Sequence, residues 1–242
     1  MRAALRAAAS CGPFFELAIH DQGPPAGWQP AAELYRDGLP GTIAQAARQL
    51  GTSEHRVAAS ILHQGLAARL WSPVLGSGLL CGVVPDLSAL VVDVGPPLRL
   101  GVTEISGRIL TSASQLATLS ADIVGRQLTA LEAALPGPPP AGLLRGNSAS
   151  AMVGALEVLS RAQPDCAPAA TELARALLDT SYLTGAGTLA GTGTGTGTDT
   201  GTDTGPVTFR RRSCCLYYRL PSGGLCGDCC FVHTPGDQRP QG

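Results

Sequence analysis

The chain has 242 residues, 44% of them hydrophobic and only 4% aromatic, with 17 basic and 18 acidic residues and a net charge of −1. Every basic residue is an arginine, so there is no phosphate loop ending in Gly-Lys-Ser/Thr, no lysine Schiff base and no kinase-type lysine. The near-zero charge argues against a protein that coats nucleic acid, and a chain of this length buries about 70% of its unfolded surface as one large or two small domains.

In chain order, Met1 to Ser10 reads as an amphipathic helix. Arg6 interrupts its alanines and Gly12-Pro13 follows, which breaks the apolar core of about 7–15 residues that a signal peptide needs. Phe14 to Ile19 fits a short strand. Ile43, Ala46, Ala47 and Leu50 make one helical stripe, and Val57, Ile61, Leu62, Leu66 and Leu70 a longer one, with Thr52 or Ser53 as N-cap before Glu54. Ala47-x3-Gly51-x5-Val57 has helix-turn-helix spacing, which opens the reading of a DNA-binding unit over 42–62. The second helix stays apolar to Leu70 and carries few cations for phosphates, which favours a helix hairpin inside the core. Leu70 to Pro85 is the longest uncharged apolar stretch, short of the ~20 residues of a membrane helix and interrupted by Pro73, Gly76, Gly78 and Gly82. A soluble cytoplasmic protein with reduced thiols is expected.

Leu90–Val94 and Leu98–Val102 flank Gly95-Pro-Pro97 and predict a hairpin. Helices are predicted over 116–135, 143–162 and about 168–179. At Thr184 the composition turns to Gly and Thr, and residues 184–206 read as a linker without core-forming side chains. As a flexible coil such a segment has ends about 25 Å apart. Its Gly spacing superficially satisfies G-x-G-x-x-G, but no strand precedes and no helix follows.

Of eight cysteines, Cys11, Cys81 and Cys166 are scattered and read as small apolar residues. The other five fall together in Cys214-Cys215-x10-Cys226-x2-Cys229-Cys230. Four thiolates suit zinc or an iron–sulfur cluster. An adjacent Cys-Cys pair points its side chains apart, which serves a single ion poorly and a two-iron cluster better; zinc remains the other reading of the spacing. Gly223, Gly224 and Gly227 let backbone N–H groups approach the sulfurs. His20, His55, His63 and His233 form no ligand-spaced pair, and no G-x-S-x-G or H-E-x-x-H is present.

The segment Arg-Arg-Ser-Cys-Cys-Leu-Tyr-Tyr-Arg-Leu-Pro-x-Gly-Gly-Leu-Cys-Gly-Asp-Cys over 211–229 resembles the C-terminal domain of the FhuF-like ferric siderophore reductases. Val57-Ala-Ala-Ser-x4-Gly65-Leu-Ala-Ala-Arg-Leu-Trp-Ser-Pro73 and Gly146-Asn147-x-Ala-Ser150 are similar to that family's helical portion. The resemblance implies a [2Fe–2S] cluster on Cys214, Cys215, Cys226 and Cys229; Cys230 departs from the family's pattern and reads as a spare thiol or, alternatively, as a spare ligand that competes or swaps in. It further implies one-electron reduction of siderophore-bound Fe³⁺ to Fe²⁺ in the cytoplasm, with a ferredoxin-like or flavin-dependent donor and no catalytic acid, base or nucleophile. Arg210, Arg211, Arg212 and Arg219 then read either as charges that raise the cluster's potential and dock an anionic ferric chelate or an acidic donor, or as a solvated flank. Asn147 reads as a pocket residue or, more simply, as a core hydrogen-bonding group.

The fold class expected is mainly α: a helical domain over 1–183 with a minor β-hairpin, the 184–206 linker, a small irregular iron–sulfur domain over 207–233 and a tail over 234–242. No nucleic acid and no integral membrane segment are expected. The competing functions are an iron–sulfur redox-sensing transcription regulator using 42–62, and a zinc-stapled interaction module.

Overall fold

In the computed structural model, which describes residues 1–190 and 208–235, the chain is mainly helical. It opens with α1 (Arg2–Ala9), a 3₁₀ turn (Pro13–Phe15) and β1 (Ala18–Ile19). β2 (Gln29–Pro30) leads into α2 (Ala31–Glu33), which passes through a π-turn (Leu34–Gly38) into α3 (Leu39–Gln49). Next come α4 (His55–Cys81), β3 (Val83–Pro85), β4 (Leu90–Asp93), β5 (Arg99–Val102) and β6 (Gly107–Ile109). α5 (Ala113–Ala134), α6 (Ala141–Ala162) and α7 (Ala167–Leu178) precede β7 (Gly187–Ala190) and β8 (Thr208–Arg211).

α4 is the axis of the body, and α1, α3, α5 and α6 all pack on it. It is 27 residues long and buries side chains right round its circumference, from Val57 through Trp71 to Gly78. Such a helix is apolar on every side, so its pattern shows little amphipathic contrast. The longer predicted stripe stops at Leu70, yet the helix runs on to Cys81 through Pro73. Burial outweighs the local preference of Pro73, Gly76 and Gly78, and the two glycines are sites of close approach. A Cβ on Gly76 would lie 2.9 Å from both Ala8 Cβ of α1 and Phe15 Cδ1, and one on Gly78 2.3 Å from Leu116 Cδ1 of α5. The helix stops where Gly82 turns left-handed (φ 63°) and its N–H closes onto the carbonyls of Gly78 and Ser77.

The predicted hairpin is present: β4 and β5 are antiparallel, with Leu90 opposite Val102 and Asp93 opposite Arg99. β1 joins parallel to β5 and β2 antiparallel to β4, giving the order β1-β5-β4-β2. The strand expected over 14–19 reduces to Ala18–Ile19, because Pro13–Phe15 takes a 3₁₀ turn that buries Phe15. α1, α3, α5, α6 and α7 fall where the spacing predicts helices, within a few residues at each end. Among the described residues no helix is long and apolar enough to cross a membrane.

The first residues of the linker expected from Thr184 belong to the fold. Ala186 is buried, and Gly187–Ala190 forms β7, which pairs antiparallel with β8. Gly187 permits this because a Cβ there would lie 2.5 Å from the Arg210 carbonyl oxygen and from the Phe209 ring. The rest of the expected linker, 191–206, and the tail from 236 lie outside the described residues.

Candidate metal centre

The site is built outward from β8. Its residues alternate, so Phe209 and Arg211 face inward while Thr208 and Arg210 face out. The strand thus takes the middle of three consecutive arginines out of solvent: Arg211 is only 1% exposed, whereas Arg210 and Arg212 are exposed. The backbone N–H of Arg211 donates to the Asp228 carbonyl (3.0 Å), which ties the start of the cysteine segment to its end.

Beyond β8 the chain lies on α6. Ser213 Oγ donates to the Gly142 carbonyl (2.7 Å). Gly146 of α6 faces that hydroxyl, and a Cβ there would lie 2.3 Å from it. Cys214 and Cys215 follow, and Leu216 then takes the left-handed conformation (φ 68°), which costs a non-glycine residue roughly 1–2 kcal/mol. The bend lets the Leu216 N–H donate to Cys214 Sγ (3.2 Å). The Phe231 N–H likewise donates to Cys229 Sγ (3.4 Å). These donors differ from the expected Gly223, Gly224 and Gly227. The N–H of Gly223 donates instead to the Leu220 carbonyl (2.9 Å), and a Cβ on Gly223 would lie 2.0 Å from the Tyr217 carbonyl oxygen.

Cys215 Sγ and Cys226 Sγ are 3.5 Å apart and share a hydrogen bond. That bond, with the Tyr217 N–H and the charge of Arg211, holds the Cys215 thiol below the ordinary range, while the same bond pushes Cys226 up. Cys215 therefore becomes the first thiolate of the pair. Burial pushes Cys214 up to about 11, with smaller contributions from Cys215, Cys230 and Cys229. Cys230 is raised by burial and by Cys229. Cys215 is thus linked to both Cys214 and Cys226, while Cys11, Cys81 and Cys166 belong to other parts of the fold.

Two buried side chains of the helical body hold this loop. Ser60 of α4 donates from Oγ to the Cys215 carbonyl (2.7 Å). Asn147 of α6 donates from Nδ2 to the Ser60 carbonyl (2.9 Å) and to Ser60 Oγ (3.0 Å), and its Oδ1 accepts from Arg211 Nη2 (2.8 Å). Ser60 and Asn147 have no exposed surface. Asn147 is thus a core anchor, its amide groups taken up by Ser60 and Arg211. Neither Ser60 nor Asp228 stood out in the sequence, although Ser60 lies within the 57–73 stretch quoted above.

The docking reading of the arginines needs correction at two positions. Arg211 is inside the protein. Arg219 donates from Nε to both carboxylate oxygens of Glu54 at 2.9 and 3.0 Å, so much of its charge is neutralised. Arg210 Nη2 donates to the Cys230 carbonyl (3.2 Å) and stays exposed, as does Arg212. Exposed Tyr217, Leu225, Phe231 and Val232 surround the same segment.

The helix-turn-helix reading fails on burial. α3 and α4 do form a hairpin, but Val57, Ala58, Ala59, Ser60 and His63, on the helix that would enter a DNA groove, are packed in the core. His63 Nε2 lies 3.0 Å from Glu132 Oε1, which also accepts from the Tyr182 hydroxyl at 2.9 Å.

Residues 211–231 match the family model of the FhuF 2Fe-2S C-terminal domain. The segment is similar to that domain over these residues. No curated protein matches the chain. The donor set of the segment fits a [2Fe–2S] cluster: clustered thiols, one of them favoured as thiolate, backbone N–H groups already on sulfur, and a buried cation beside them. Among the described residues no three His, Cys, Asp or Glu side chains surround one point at the range of a single metal ion. A two-iron cluster asks for something else, because it spreads its thiolates over two metals.

Proposed function

We propose that the chain reduces siderophore-bound Fe³⁺ to Fe²⁺ in the cytoplasm, with Cys214, Cys215, Cys226 and Cys229 holding the [2Fe–2S] cluster and Cys230 as a spare thiol. The match of 211–231 to the FhuF domain carries this reading. The cluster, when bound, supplies one-electron transfer: a ferredoxin-like or flavin-dependent donor gives one electron, and the ferric chelate accepts it. Hard hydroxamate and catecholate oxygens hold Fe³⁺ far better than Fe²⁺, so that electron loosens the chelate without any acid, base or nucleophile.

The chain's own residues supply position and environment. Ser60, Asn147, Ser213 and the Arg219–Glu54 pair fix the cysteine segment on the helical body. In this reading residues 1–183 form the body that takes the siderophore and 207–233 the redox end. Exposed Arg210, which donates to the Cys230 carbonyl, and exposed Arg212 suit an anionic chelate or an acidic donor.

The test mixes anaerobically reduced protein with a ferric hydroxamate and a ferrous-iron trap. The proposal expects one trapped Fe²⁺ per cluster reoxidised. Reduced protein that persists while the chelate stays intact would sink it.

A further inference from the structure

We propose that Arg211 sets the reduction potential of the cluster, as a buried cation that Asn147 locks beside the cysteine loop. The inference rests on the [2Fe–2S] assignment and is independent of the siderophore.

The Arg211 side chain has no exposed surface. A guanidinium in that position is costly unless negative charge and hydrogen-bond acceptors surround it. The neighbours seen around it do not suffice. Asn147 Oδ1 is neutral and takes only Nη2, at 2.8 Å. The facing carboxylate oxygen of Asp228 is 3.6 Å from Nε, too long for a hydrogen bond. Nε and Nη1 of Arg211 and Oδ2 of Asp228 all lack hydrogen-bond partners, although Nε and Oδ2 face each other as an ion pair. Arg211 is tied to the cysteine loop at both ends: its backbone N–H donates to the carbonyl of Asp228, between Cys226 and Cys229, and its guanidinium is linked through Asn147 and Ser60 to the carbonyl of Cys215. A permanent cation with two spare N–H donors thus sits against the cysteine loop, where bound thiolates would supply further negative charge beyond the single ion pair to Asp228.

This arrangement has a direction. Each electron added makes the cluster more negative, so a fixed positive charge in a poorly solvated site stabilises the reduced form and raises the potential. Arginine does not lose its proton at working pH, so the bias is constant. Its distance is constant too, because Asn147 grips the guanidinium and Ser60, and Ser60 grips the carbonyl of Cys215. The charge and the loop it acts on hang from one anchor. Arg211 is therefore a positioning residue that works through the cluster without touching substrate.

The experiment is a redox titration of cluster-loaded full-length protein, read by electron paramagnetic resonance, with no siderophore present. Wild type is compared with R211Q, R211K and N147A at low and at high salt. At a fixed ambient potential R211Q lowers the reduced-to-oxidised ratio by about tenfold, which for a one-electron couple is about 59 mV towards negative. R211K keeps most of the wild-type ratio, and N147A falls between wild type and R211Q. The difference persists at high salt, since a buried charge is poorly screened. A wild-type potential in R211Q overturns the inference, as does an R211Q shift that salt abolishes or that R211K reproduces in full. If R211Q does not retain its cluster, N147A decides, and a wild-type potential there overturns the inference. A failed siderophore assay leaves this outcome untouched, and an unshifted potential leaves that assay untouched.

Discussion

Across the interface of α4 and α6 the chain buries Leu66, Leu70, Trp71, Met152 and Leu156, whereas the cysteine segment buries only Phe209, Arg211, Cys215 and Leu220. The first region folds by removing apolar surface from water, and even its polar contacts, such as Trp71 Nε1 donating to Ser148 Oγ at 3.0 Å, sit inside that packing. The second has a short strand, a 3₁₀ turn and little apolar mass. It borrows order from the first through Ser60 and Asn147, and from the group it binds. The lesson is a division of labour: the body is self-supporting, and the redox end is held in place from outside.

That contrast can be broken at its strongest point by Cys226→Ser. The account expects complete loss of the cluster's visible absorption with the far-ultraviolet helix signal essentially unchanged. Loss of helix in step with colour would mean that the body also depends on the cluster. The converse change is Trp71→Ala, which removes a fully buried side chain and costs about 3–5 kcal/mol of body stability by denaturant unfolding. Here helix and colour are expected to fail together.

Ser60→Ala probes the seam between the regions. It strips one hydrogen bond from the Cys215 carbonyl and one acceptor from Asn147, for about 1–3 kcal/mol. Bleaching of the cluster by denaturant should then come before loss of helix, where wild type shows the two closer together. The smallest effect belongs to Glu54→Gln, which breaks the partly exposed pair with Arg219. It should shift the unfolding midpoint only slightly, and by less still at high salt.

Much of the body was legible because helical spacing is a direct print of a buried stripe. α5, α6 and α7 follow it closely. The reach of α4 past Leu70 was not, since Pro73, Gly76 and Gly78 resemble a break until α1 and α5 are seen against them. At the site the five cysteines were legible from spacing, a local property. What escaped was set by contacts distant in sequence. Arg211 looked like one of three surface cations, although Phe209 two residues earlier already hinted at an inward face. Asn147 and Ser60 gained their meaning only once α4, α6 and the cysteine loop met. Gly187–Ala190 looked like linker because pairing with β8 cannot be read from a Gly/Thr run.

The most direct measurement of the central claim is metal and sulfide analysis of anaerobically purified full-length protein, combined with paramagnetic resonance after one-electron reduction. The account predicts reddish-brown protein with two irons and two acid-labile sulfides per chain, and a rhombic signal on reduction. Colourless protein carrying stoichiometric zinc would contradict it.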